Sequence, residues 1–588
     1  MFSWVLSSSP GAQAAPGAQA APGAISVAEA PGASPNFIFP LDDCLHASTN
    51  NVQDFQQLMF RPLYWFGLGT STAVQYPLSL ANPPRVTNQG RTFSISLKGW
   101  RFANGQVVDA DSVKFFLNLF KSNPTNFCSY TPGFGIPDQL SAVSAVGNEL
   151  TLRFSSPESL NYVLDNYLSQ ITPMSTRWSR SVTGLAPRCA IGPYGAASTS
   201  SACDAVLSYL STLAANTKSF AGRFWQSGVD GPWTLASFNA SGNATFAANP
   251  HYSGTQKPRV TTLKEVAYTS FAAELSDLTA NKLTIGYLDQ SVLTPAMSKG
   301  HGANDPPLSS KYTLTQVAPW SMGYGVLNYS PSNPNAPLVR QTYIRQALQM
   351  GVDQPTLIAQ DLSGFGVPTY SPLPIPTPTN VAAPTKNPLP FNPVAAHALL
   401  LSHGWAMVNS SLVCQSPGVG ASQCGASIAA GTPLTLRVDW TSGSSTLDAM
   451  MQSEVTEWVK IGFRVTTNED TLNNLIADCH NSATTDLCVT MNGWTYAPAN
   501  FPSGEELFGS QGASNFGGYS DVTMNDLIHR SIFFTGNLSA YATYAASQIP
   551  VIYEPQATSV LEVSKALKSS ITYTQNPLGA FTPEYLSF

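Results

Sequence analysis

Residues 90–120, GRTFSISLKGWRFANGQVVDADSVKFFLNLF, constrain the fold more than any other stretch of the chain. Phe93, Ile95 and Leu97 alternate with polar residues, the period of a strand with one buried face. Gly105 supplies a turn, and Asp109 is placed to cap a helix in which Val113, Phe116, Leu117 and Phe120 share a face. The alternation of strand and helix recurs. Strands are predicted at 23–27 and 150–154 and a return to a sheet over 228–246, the loop 30–39 being broken by Pro31, Pro35 and Pro40. Asn392 followed by Pro393 opens a helix that Gly404 ends, and Leu447, Met451, Val455 and Trp458 form a core stripe that stops at Gly462. This pattern implies α/β layers.

A chain of 588 residues is too long for one core, so two or three domains are expected, and 43% hydrophobic residues can build them. The net charge of −6 offers no basic field to a nucleic acid backbone. No run of 18 apolar residues exists to span a membrane. Residues 1–22 read as a low-complexity Ala/Pro/Gly linker or a signal remnant, with Ala-Gln-Ala triplets at 12–14 and 18–20.

The eight cysteines fall into three close pairs, Cys189 with Cys203, Cys414 with Cys424 and Cys479 with Cys488, leaving Cys44 and Cys128 as a long-range fourth. Even count, loop-like surroundings and the absence of any C-x-x-C favour disulfides over a metal site, and so an oxidising compartment. The seven histidines lack ligand spacing, and no zinc-helix, phosphate-loop or nucleophile-elbow motif occurs. Asp109 and Asp111 read as helix-start residues rather than a catalytic pair, and Arg340 and Arg345 as helical residues in structural pairs. No enzyme, metal or cofactor is expected.

The order of segments resembles the extracytoplasmic solute-binding proteins of ABC importers, family 5, the peptide/nickel type. Residues 90–120 are similar to that family's strand "Gly-x-x-[Tyr/Phe]-x-[Phe/Ile]-x-Leu", its "Phe-x-[Asp/Asn]-Gly" turn and its "Ala-[Glu/Asp]-[Asp/Ser]-Val" helix start. Leu327-Asn328 with Val339-Arg340, Ile344 to Leu348 and Val352-Asp353 resemble a second segment, and Phe391-Asn392-Pro393 to Gly404-Trp405 a third. Residues 434–465 and Ser514 to Tyr519 with Asp526-Leu527-Ile528 resemble two more.

The resemblance implies an α/β, two-lobed periplasmic-binding-protein fold of the cluster C type, with an extra subdomain and a hinge of two crossing segments near 316–326 and 550–560. Lobe I would comprise 23–75, 221–322 and 556–588, the extra subdomain 76–220, and lobe II 323–555. It also implies a monomeric extracytoplasmic receptor that captures a small solute, by default an oligopeptide, and delivers it to ABC permease subunits. An oligosaccharide binder, a secreted hydrolase and a ligand sensor are the other readings. In peptide-binding relatives an Asp in the segment resembling 491–508 pairs with the ligand's ammonium; here Gly493-Trp494 match and Ala497 stands in place of that Asp. The expected ligand residues are Trp494, Tyr496, Asn500 and Phe501, then Asn36 and Phe37, Trp320 and Tyr324 near the crossing, and Asn515 and Phe516.

Overall fold

The computed structural model describes residues 23–588 apart from 44–45, 47, 128–129, 131, 300–305, 376–385, 472–473, 476–477, 480–482, 491–492, 497–499, 513, 537, 570 and 572–575. Lobe I is built on a seven-stranded mixed sheet. Its order is Trp233–Phe238, Ala244–Ala248, Thr262–Val266, Ala24–Ala28, Ile285–Tyr287, Ser559–Ser564 and Tyr312–Val317. The central three strands run parallel, with Val27 in register with both Glu265 and Ile285. Ala24–Ala28 is buried along its whole length, as a strand covered on both faces must be.

Lobe II carries a six-stranded sheet in the order Arg464–Asp470, Thr435–Thr441, Leu487–Val489, Ser321–Leu327 and Trp494–Thr495, with Val551–Glu554 also paired to Ser321–Leu327. The chain passes between the sheets twice. Tyr312–Val317 ends the first sheet and Ser321–Leu327 enters the second, with Pro319 between; Val551–Glu554 leads back through Pro555 to Ser559–Ser564. A proline has no amide proton for a ladder, so each sheet breaks at its crossing. Both crossings fall inside the stretches expected from the resemblance.

A four-stranded antiparallel sheet, Arg85–Thr87, Thr92–Ser96, Glu149–Phe154 and Leu140–Val146, forms the extra subdomain with helices Ala110–Ser122 and Ala197–Ala214. Asp109 caps the first helix as anticipated, accepting from the Ser112 amide at 3.0 Å. That helix is not one-faced, however. Phe115 and Leu119 are buried along with Val113, Phe116, Leu117 and Phe120, because the helix lies between the sheet and the helices Pro187–Ile191 and Ala197–Ala214.

In lobe II the helix Ser445–Ile461 buries Leu447, Met451 and Trp458, leaves Val455 half-buried, and ends at Gly462 with φ of 117°. Asn392 caps Pro393–Ser402 through the Ala395 amide at 3.0 Å. The expected pairs of Arg340 and Arg345 turn out to be carbonyls, not acids. Arg345, in Thr342–Gln349, donates to the carbonyls of Val339, Arg340, Gln548 and Ile549 and so satisfies the end of helix Ser539–Gln548. Arg340 lies just past Ala336–Val339 and donates to the Tyr329 carbonyl. The three local disulfides are present, Cys189–Cys203, Cys414–Cys424 and Cys479–Cys488, while Cys44 and Cys128 lie outside the described residues.

Candidate ligand-binding site

Lobe I, the extra subdomain and lobe II together wall a cavity between the lobes. Lobe I contributes the helix running through Asn50–Gln56 and Gln57–Met59, which buries Phe55, Leu58 and Met59 and turns Val52, Gln53, Gln56 and Gln57 to the cavity. The extra subdomain adds Phe116 and Phe120 from its capped helix, and Tyr162, Asn166 and Tyr167 from the helical stretch 160–168. Lobe II closes it with Asn500, Glu505 and Glu506. The space is about 110 Å³, against ~10–15 Å³ for one water by this measure, room for a small group rather than a whole peptide.

The lobes are in direct contact around this space. The Tyr162 hydroxyl donates to Glu505 Oε1 at 2.9 Å, the Phe501 amide donates to Asn166 Oδ1 at 2.7 Å, and the Asn500 amide donates to the Asp165 carbonyl at 3.0 Å. The Ser159 amide reaches the Ile532 carbonyl at 2.9 Å, and Phe134 stacks on Phe533 with centroids 6.1 Å apart. This is a closed arrangement, which removes a small ligand from water on both sides.

The electrostatics of the cavity are one-sided. Among the described residues, Asp42, Glu505 and Glu506 line it and no Lys, Arg or His does. Asp42 accepts from Gln56 Nε2 at 2.8 Å; Glu505 has Tyr162 on Oε1, while its Oε2 is buried without a hydrogen-bond partner. Burial holds the Asp42 carboxyl well above its usual range and raises that of Glu505. Burial, with the Glu505 charge beside it, pushes Glu506 up to about 8. A cation placed here would let all three ionise. The rest of the lining combines amide side chains with the rings of Phe60, Tyr64, Phe66, Phe116, Phe120, Phe127 and Phe134, which can meet such a cation or its apolar body.

The profile of the bacterial extracellular solute-binding proteins, family 5 Middle, matches residues 75–515. The chain belongs to this family. It is a solute-binding receptor of the kind that works with ABC permeases. The fold is that of solved relatives across nearly the whole chain. The oligopeptide-binding protein AppA from Bacillus subtilis, in complex with a nonapeptide, is 16% identical with a TM-score of 0.60, covering 97% of this chain and 99% of its own. CtaP from Listeria monocytogenes, an ABC transporter substrate-binding protein, is 14% identical at a TM-score of 0.70, covering 96% and 99%. NikA from Brucella suis, in complex with Fe(III)-EDTA, is 16% identical at 0.68, also over 96% and 99%. A comparison with curated protein sequences finds no match. Among the described residues no helix is long and apolar enough to cross a membrane.

Of the residues the family resemblance singled out, Asn500 lines the cavity. Phe501 is buried directly behind it, edge-on to Tyr162 at 5.7 Å, and Trp320 at the crossing donates to the Asn500 carbonyl at 2.8 Å. Trp494 is half-buried on a two-residue strand paired with Met322, and Tyr496 is buried with its hydroxyl donating to the Pro372 carbonyl at 2.7 Å. Tyr324 is a buried strand residue. Asn36 is exposed and held by Asn51, and Phe37 is buried in the lobe I core against His46. Asn515 shapes its own loop through Gly509 and Tyr519, beside a half-buried Phe516. None of these but Asn500 is on the cavity wall. Ala497 lies outside the described residues. The acidic residues Asp42, Glu505 and Glu506 were not anticipated. Their one local signal is the Gly504-Glu505-Glu506-Leu507 run, in a chain where only 11% of residues are charged.

Proposed function

We propose that this receptor captures an oligopeptide between its lobes with a cationic group of the peptide, an ammonium or guanidinium, seated in the acidic cavity. The observation that carries this reading is the lining: among the described residues, three carboxyls, several aromatic side chains and no positively charged residue. Buried carboxylates need a counter-charge, and a peptide amine supplies one while its apolar portions meet the aromatic walls. The carboxylate missing at Ala497 is then made good by Glu505 and Glu506, further along the same connection, and by Asp42 of lobe I. The receptor acts outside the cytoplasm as a monomer and hands the peptide unchanged to an importer. The bodies that close are lobe I, with residues 23–75, 221–322 and 556–588 and the subdomain 76–220, and lobe II, with residues 323–555.

Titration calorimetry against basic, neutral and acidic peptide pools and against oligosaccharides, with chromatography of the recovered solute, tests the reading. Saturable binding of basic peptides recovered intact is expected. Preferential binding of sugars or acidic peptides refutes it, and release of cleaved product identifies a hydrolase instead.

A further inference from the structure

A second cavity, of about 250 Å³, lies within lobe I between the seven-stranded sheet and the helix Asn50–Gln56. Its floor is the row Val27, Glu265 and Ile285, which the parallel register sets side by side, with the cross-strand pair Tyr287 and Leu561 beside it. Asn50 and Asp54 of the helix face it from above, and Ala33, Pro35 and Phe581 form its rim. Among the described residues no lining residue comes from lobe II or from the extra subdomain, so this space belongs to lobe I and does not depend on closure. One helix separates the two cavities, with Asp54 toward this one and Gln53, Gln56 and Gln57 toward the other.

This cavity too is acidic, Glu29, Asp54 and Glu265 lining it, and among the described residues no Lys, Arg or His is in its wall. Glu265 is the decisive group. It sits mid-sheet between Val27 and Ala244, is only 4% exposed, and its Oε2 has no hydrogen-bond partner. An apolar side chain would suit that strand position far better unless the acceptor is used. Burial pushes Glu29 up to about 7 and Glu265 well above the ordinary range, the neighbouring Glu29 and Asp54 charges adding to the latter, so a cation in the space would relieve both glutamates. Among the described residues no three acidic, His or Cys side chains converge as metal ligands, whereas Val27, Ala28, Ile285, Leu561 and Phe581 offer a surface for carbon.

We propose that this pocket is a second binding site, for a small organic ammonium ion whose charged head meets Glu265 and whose alkyl body packs against the apolar floor. The site is independent of the solute held between the lobes. Calorimetry and thermal unfolding with n-butylammonium chloride test it on the intact protein, with n-butanol, sodium butyrate and sodium chloride of equal ionic strength as controls. Saturable binding and a raised unfolding temperature are expected for the ammonium alone. Glu265→Gln should weaken binding by about tenfold or more, as loss of a charge-assisted hydrogen bond does. Ala33→Leu, a loop substitution that fills the rim without touching the sheet, should abolish it. An equal response to butanol, or butylammonium binding that survives Ala33→Leu, overturns the proposal. The second outcome also decides the case should Glu265→Gln fail to fold.

Discussion

Replacing Glu505 by Gln separates recognition from lobe contact. In the closed structure Glu505 Oε1 takes the Tyr162 hydroxyl at 2.9 Å, and Oε2 is buried with no partner. A glutamine has nearly the same volume and keeps an amide oxygen for Tyr162, so the contact between the lobes persists. What it removes is the charge. A hydrogen bond to a charged group contributes ~1.5–3 kcal/mol, so affinity for a basic peptide should fall roughly 10–150-fold. Without ligand the outcome reverses. Burial raises the Glu505 carboxyl, which means that its ionised form is disfavoured in the folded protein, so Glu505→Gln should leave the unfolding temperature unchanged or higher. Tyr162→Phe is the companion variant. It deletes a neutral-donor bond between the lobes, worth ~1 kcal/mol or about fivefold in affinity, and should weaken neutral and basic peptides alike. Calorimetry at pH 7.5 with both peptide types reads the difference. If Glu505→Gln binds basic peptides unaltered, the charge argument fails. If it loses neutral and basic peptides equally and melts several degrees lower, Glu505 is a latch and not a selector.

Solute affinity should depend on pH in a definite direction. With Glu506 pushed up to about 8, binding of a guanidinium-bearing peptide requires loss of a proton, and affinity should rise by up to ~tenfold per pH unit between about 6 and 8; a flat profile would show that Glu506 takes no part. Stability should run the other way. Burial pushes Glu158 and Asp230 up to about 8 and Asp165 and Glu274 up to about 7. Folded values above the unfolded range near ~4 give stability that is complete below that range and lost as pH rises through 7 to 8. Thermal unfolding of the free protein should therefore come at higher temperature at pH 5 than at pH 8.5, and the reverse order contradicts the argument. Arg345→Met strips the donors from four buried or half-buried carbonyls and should cost ~3–5 kcal/mol in denaturant unfolding of lobe II; a loss under 1 kcal/mol by the same reasoning would mean that water replaces the guanidinium. Mass spectrometry without reduction should find all three local disulfides, and opening Cys189–Cys203, with its separation of 14 residues, should destabilise by ~3 kcal/mol.

The two lobe crossings came from the family resemblance, whereas the elements that local chemistry dictates were legible in the residues themselves: the capped helix after Asp109, the Asn392-Pro393 start and the Gly462 stop. Each depends on residues within a turn or two of one another. The cavity depends on pairings such as Tyr162 with Glu505, 343 residues apart, which no periodicity encodes. Phe116 and Phe120 illustrate the difficulty. Helical spacing marks them as buried, and they are, but the same spacing cannot distinguish a ring that meets core from a ring that meets a ligand, since both surfaces are apolar. Trp494 illustrates the converse, because a motif match fixes its place on a strand edge without fixing which side of that strand the indole takes. Charge is the property that breaks this degeneracy. A buried acid carries a cost that an aromatic ring does not, so in a chain this poor in charge the adjacent Glu505 and Glu506, between the buried Gly504 and Leu507, mark the cavity wall more specifically than any of its aromatic residues.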